Sequence, residues 1–294
     1  MKYITLKSGK ATTTVQSQGG ELISFIDKDG NERLWHGDPA VWSGHAPVLF
    51  PVIGSLKDNQ TFIAGKAYTL QKHGFAKRME FKAGKLGDDF VEMVLEANEE
   101  TLKEFPFDFV LHVTHTITEN GFTTVYLVEN RSEGMMPFCI GGHPGIKCPM
   151  EAGAAFEDYQ LVFTERETGE NALAPEGYLI TGTEKLDCLK DGRVIPLSHK
   201  LFDDHDALIL TNLKSRKVDL VHKTTGRGIS FAFPKFPILG IWTMPNKQGN
   251  YVCLEPWQGM PGWENESGKM EDKPYAVKLE AGRAYKTWYE LSFL

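Results

Sequence analysis

Three short segments each set an ionisable side chain beside a residue that frees or fixes the backbone. His73 precedes Gly74 in Lys72-His-Gly-Phe-Ala76. His143 stands between Gly142 and Pro144 in Phe138-Cys-Ile-Gly-Gly-His-Pro-Gly145. Glu255 precedes Pro256 in Leu254-Glu-Pro-Trp-Gln-Gly-Met-Pro-Gly262. Glycine lets a backbone approach a ligand closely, and proline rigidifies a loop. Histidine titrates near about 6.5 and glutamate near about 4.3, so the pair offers an acid and a base at neutral pH. Such groups suit proton transfer to and from a neutral organic substrate. Trp257, beside Glu255, and Trp242, in Gly240-Ile-Trp-Thr-Met-Pro245, offer flat apolar faces that can cover the C–H face of a sugar ring.

Other chemistries find less support. His73 and His143 are isolated and no H-E-x-x-H occurs, so no metal site is expected. Cys139, Cys148, Cys188 and Cys253 form no C-x-x-C pair and are read as reduced, mostly buried thiols. No nucleophile elbow, P-loop or dinucleotide fingerprint is present. A glycosidase would pair Glu255 with Asp206 and leave the histidines without a role. His36, His45, His112, His115, His199 and His222 are expected as surface or satisfied core residues, with His115 on a strand face.

The elements that must position these residues are strands. Phe109, Leu111, Val113, His115 and Ile117 alternate with Val110, His112, Thr114 and Thr116, the period of a strand with one face on a core. The run Phe122–Val128 follows Glu119-Asn120-Gly121, which predicts a hairpin. Further strands are expected at Tyr3–Leu6, Leu22–Asp27, Glu92–Glu96, Gln160–Phe163, Ala207–Leu210, Val218–His222, Ile229–Phe233, Tyr251–Leu254 and Thr287–Phe293. Short helical turns are expected near Pro39–Ser43 and Leu102–Phe105. With no long 3.6-residue period, no repeat and no linker, the pattern predicts an all-β antiparallel sandwich in one domain spanning residues 1–294.

Composition narrows the partners. The chain has 294 residues and a formal net charge of −7, which disfavours nucleic acid and anionic membrane surfaces. No apolar N-terminal run and no spanning segment is visible, so a cytoplasmic protein, monomer or homodimer, is expected.

Taken in order, the segments KHGFA, GGHPG and LEPW resemble those of the aldose 1-epimerase (galactose mutarotase) family, in its LacX-like branch, over nearly the whole chain. The resemblance implies a large antiparallel β-sandwich, no cofactor, and interconversion of the α and β anomers of an aldose. Carried over by motif, His143 is similar to the family's general acid, Glu255 to its general base, and His73 to the histidine that binds the sugar near its ring oxygen. Asp206 matches the substrate-binding aspartate, with Asp204 as the alternative. The early glycine-rich loop departs from the pattern: Gly54-Ser-Leu-Lys-Asp-Asn59 has no arginine, and Lys57 is its candidate replacement. Lys57, Lys72, Lys77 and Arg78 leave a phosphorylated hexose open as substrate, and a sandwich that binds carbohydrate without turnover is a third reading. For ring opening, the imidazole at 143 and the carboxylate at 255 are expected on opposite sides of one pocket wide enough for a pyranose.

Overall fold

The computed structural model describes residues 2–175 and 178–294. Two large sheets dominate it. The first has nine strands, in the spatial order Val194–Pro196, Tyr159–Phe163, Lys217–His222, Gly228–Ala232, Ala284–Phe293, Gly121–Asn130, Phe109–Thr118, Phe90–Glu96 and Lys82–Leu86. The second has eight. Seven run in the order Gly182–Lys185, Glu170–Leu173, Ala207–Leu210, Ile238–Trp242, Tyr251–Gln258, Ile140–Gly142 and Val48–Leu49, and Gly145–Lys147 joins on Tyr251–Gln258. The pairings within both sheets are antiparallel. The all-β sandwich expected from the alternation is what forms.

Why it closes as a sandwich follows from the side chains. On Phe109–Thr118 the residues Leu111, Val113, His115 and Ile117 are buried while His112, Thr114 and Thr116 are only partly covered. One hydrophobic cluster takes Leu161, Ile229, Tyr126 and Tyr289 from the nine-stranded sheet together with Leu208, Ile241 and Leu254 from the other. Burying side chains of this size contributes roughly 1.5–3 kcal/mol each, the main force holding two sheets face to face.

Most expected strands appear within a residue or two of their sequence bounds, and the hairpin at Glu119-Asn120 pairs Gly121 with Thr118. Three differences matter. The strand expected at Tyr251–Leu254 continues to Gln258 and carries Glu255 and Trp257 within the sheet, because both its edges are paired. The strand Ile238–Trp242 was not foreseen, since its apolar run shows no alternation. A helix, His199–His205, precedes Asp206, with the Ser198 hydroxyl accepting from the Leu201 N–H at its start. Near Pro39–Ser43 the chain makes a single turn, closed by Trp42 N–H to Asp38 C=O. Among the described residues no helix is long and apolar enough to cross a membrane.

Candidate active site

Successive residues of a strand point to opposite faces. Tyr251, Cys253, Glu255 and Trp257 therefore share one face of their strand, with Glu255 opposite Gly240 and Cys253 opposite Trp242 on the neighbouring strand. A Cβ on Gly240 would come within 2.8 Å of the Trp257 ring, and one on Gly141 within 2.9 Å. These two glycines make the slot in which the indole lies beside Glu255.

The other neighbour is broken in two. Gly141 pairs with Trp257, and Gly145 pairs with Cys253 in the same register, so His143 stands opposite Glu255. Pro144 has no N–H and the ladder is interrupted there. That break in GGHPG turns the imidazole toward the carboxylate: His143 Nε2 lies 3.2 Å from Glu255 Oε2. Both line a cavity of about 270 Å³, together with His73, Lys72, Lys77, Asp206 and the rings of Trp42, Trp242 and Trp257.

The contact corrects the expected separation. The two groups share one pocket, but they touch instead of facing each other across a sugar.

His73 enters from a turn. Its backbone is left-handed, with φ of 67°, and the next residue, Gly74, has φ of 72°. A Cβ at Gly74 would lie 2.1 Å from the Phe50 carbonyl oxygen, so glycine is required there. His73 N–H donates to Gly54 C=O, and Gly54 N–H donates to His73 Nδ1 at 3.1 Å. With Nδ1 accepting, a neutral His73 carries its proton on Nε2. Burial first, then the charges of His143, Lys77 and Lys72, hold its pKa well below the ordinary value and keep it neutral. Its ring stands edge-on to His143 with centroids 5.7 Å apart.

Asp206 follows the helix in a left-handed conformation, φ 61°, and accepts a hydrogen bond from Trp242 Nε1 at 3.4 Å. Its alternative, Asp204, is exposed and ion-paired with Lys200. Lys57 does not reach the cavity: its ammonium donates to the Glu264 carbonyl on the exterior. Arg78 is tied to Glu104 and to Gly74 C=O. Of the four basic residues considered, Lys72 and Lys77 are the ones that line the cavity.

Two contributors escaped sequence reasoning. Trp42 stacks on His143, with centroids 5.0 Å apart, and meets Trp242 edge-on. A tryptophan in the turn Asp38–Ser43, outside any expected strand, was the available signal. Glu21 is buried, and its carboxylate accepts from the His45 and Ala46 N–H groups, anchoring the loop that carries Trp42 and Pro47. Nothing in the linear sequence relates Glu21 to that loop.

Burial dominates the electrostatics. It pushes the Glu255 carboxyl well above its usual range, helped by Asp206, while Lys72 and the nearby Trp257 indole N–H, which falls short of a full hydrogen bond, oppose it. It pushes His143 down, with Lys72 and Lys77 adding to the effect. Lys77 is lowered by burial and then by Lys72 and Arg78, with Glu21 opposing. These directions favour a neutral pair, carboxylic acid beside imidazole. The pair's two forms, carboxylic acid with imidazole or carboxylate with imidazolium, have the same net charge. Moving to the second form separates charge inside a buried site, which burial disfavours.

An imidazole and a carboxylate in contact thus line one cavity with three tryptophan rings, and the fold that holds them has counterparts among known proteins. The aldose 1-epimerase family model matches residues 2–292, and the chain belongs to that family of mutarotase-like carbohydrate epimerases. The protein LacX of Lactococcus lactis subsp. lactis, in plasmid and chromosomal forms, is 34% identical over 301 aligned residues, 99% of each chain. A galactose mutarotase related enzyme from Lactobacillus acidophilus superposes with a TM-score of 0.93 at 28% identity, covering 100% of this chain and 97% of that one. A galactose mutarotase-like protein from Lactobacillus casei gives 0.92 at 30% identity and full coverage of both.

Proposed function

We propose that this protein interconverts the α and β anomers of an aldose by ring opening and reclosure, with Glu255 as base and His143 as acid. The observation that carries the reading is the 3.2 Å contact between these groups on the cavity wall. In the carboxylate–imidazolium form, Glu255 takes the proton of the C1 hydroxyl as His143 protonates the ring oxygen. The C1–O5 bond breaks and C1 becomes an aldehyde carbon. The pair is left as carboxylic acid and neutral imidazole, the form that burial favours. Rotation about C1–C2 presents the other carbonyl face, and the same two transfers in reverse close the ring.

The remaining residues have positions suited to holding the sugar. The His73 Nε2–H is a fixed donor, Asp206 a fixed acceptor, and Trp42, Trp242 and Trp257 supply apolar faces. Polarimetry on freshly dissolved α-glucose and α-galactose tests the reading: the protein should speed the approach to the equilibrium rotation. A rate equal to the buffer's for every aldose in a panel overturns it.

A second reading of the substrate has its own support. Lys72 and Lys77 line the cavity, and neither forms a salt bridge among the described residues. Their mutual repulsion is relieved by an anion, which favours a hexose carrying a phosphate. Comparing kcat/KM for glucose with that for glucose 6-phosphate separates the neutral from the phosphorylated substrate.

A further inference from the structure

The face of the strand that carries Glu255 also carries Cys253 two residues earlier, and His143 is shared between them. One ligand atom from each of His143, Cys253 and Glu255 lies within 4.8 Å of the other two. The side chains are 8%, 0% and 3% exposed respectively, and Cys253 is a free thiol. Nδ1 of His143 and Oε2 of Glu255 have no hydrogen-bond partner among the described residues. Polar atoms so deeply covered are seldom left unsatisfied, and their lack of partners points to a ligand. For the anomerase reading that ligand is a sugar. The thiol behind the pair has no part in that chemistry.

We propose that His143, Cys253 and Glu255 form a three-ligand site for a thiophilic divalent cation, Zn²⁺ or Cd²⁺, whose occupancy blocks the acid/base pair. Nitrogen, sulfur and carboxylate oxygen are the donors of zinc sites, and three protein ligands leave a fourth position open toward the cavity. Ligands of a tetrahedral zinc ion stand roughly 3.5 Å apart. The cluster therefore has to close by about 1 Å, within reach of side-chain rotation. Thiolate and carboxylate together neutralise the cation, and Asp206 adds to the attraction. Lys72 and Lys77, on the cavity wall, oppose every divalent cation alike, and the thiolate selects those that bond strongly to sulfur. Mg²⁺ and Ca²⁺, which prefer oxygen ligands, are excluded on that ground. On binding, the Cys253 thiol and the Glu255–His143 pair each give up one proton to solvent, and the bonds from sulfur, nitrogen and oxygen to the metal form with no change of oxidation state.

Binding is independent of the assigned activity, whereas the block rests on the anomerase reading, so two readouts are needed. Titration of the metal-free protein with Cd²⁺ should raise the ultraviolet charge-transfer band of a cadmium thiolate, saturating at one ion per chain. In Cys253→Ala the band should be lost. Polarimetric assays should show Zn²⁺ and Cd²⁺ inhibiting competitively with the sugar, and Mg²⁺ without effect. Cys253→Ala, outside the proton-transfer machinery, should keep its basal rate while resisting inhibition by at least about tenfold. Absence of the band, or a band and inhibition unchanged in Cys253→Ala, overturns the site. A band lost in that variant from a protein with no anomerase activity would leave the site standing and sink the proposed function instead.

Discussion

Two buried histidines, one in each large sheet, make a controlled comparison. His115 sits within the nine-stranded sheet and His143 at a break in the eight-stranded one. Both are more than nine-tenths covered, and burial lowers the pKa of both. Their partners differ. His115 has both ring nitrogens engaged, Nδ1 with the Thr124 hydroxyl at 3.0 Å and Nε2 with Gly20 C=O at 2.8 Å. His143 has no partner on Nδ1, faces a carboxylate through Nε2, and borders a cavity. Burial and a depressed pKa do not mark a catalytic histidine. An unsatisfied nitrogen, an ionisable neighbour and a bordering cavity are what set the proposed acid, His143, apart.

The largest expected effect that would break this comparison is at the pair itself. His143→Ala and Glu255→Gln should each lower kcat by about a hundredfold or more with the fold retained, measured by polarimetry with circular dichroism alongside. Near-normal turnover in either variant removes that residue from the mechanism. Because the two act as a unit in the proposed transfer, the double variant should lose little more than the worse single one. Independent, multiplying losses would show that they act separately.

Next in size is the effect of the lysines. If the substrate is phosphorylated, Lys72→Met and Lys77→Met should each raise KM for the phosphorylated sugar about tenfold, in line with loss of a charge-assisted contact of 1.5–3 kcal/mol. KM for the free sugar should move far less. Equal changes for both sugars would assign the lysines to hydroxyl binding.

The pH dependence sharpens the contrast further. Activity should fall in acid only when the pair takes up a second proton. Because His143 is depressed by burial, that limb should lie well below the ordinary histidine value of about 6.5. On the alkaline side the Glu255 proton is lost above the usual carboxylate range, since burial raises that carboxyl. An acid limb at the ordinary histidine value would mean that His143 titrates as a solvated residue.

The smallest effect on turnover is expected at His115. His115→Ala should leave kcat within about twofold while costing about 1–3 kcal/mol of stability through the unpaired Gly20 carbonyl and Thr124 hydroxyl. In the native protein His115 is held neutral, its pKa lowered to about 4, whereas the unfolded chain takes up a proton near 6.5. The stability it protects is therefore complete above the unfolded value and drains away as pH falls toward 4, by about 3 kcal/mol in all. Denaturant melts between pH 7 and 4 should show this loss in the wild type and a shallower slope in the variant.

Much of this protein was legible along the chain. Alternation over Phe109–Ile117 and Phe122–Val128 specified antiparallel strands, because a half-buried sheet imposes a two-residue period. His73, His143 and Glu255 stood out because glycine and proline beside an ionisable group are costly unless the backbone must bend or be approached closely. Other features depended on residues far apart in sequence. The register that sets His143 opposite Glu255, the sorting of Lys72 and Lys77 from Lys57 and Arg78, Asp206 over Asp204, and the arrival of Trp42 at the cavity on a loop anchored by Glu21 are all long-range. A strand's neighbour is chosen by the packing of the whole sheet, so contact between imidazole and carboxylate, in place of separation across a sugar, became visible only once the sheets had closed.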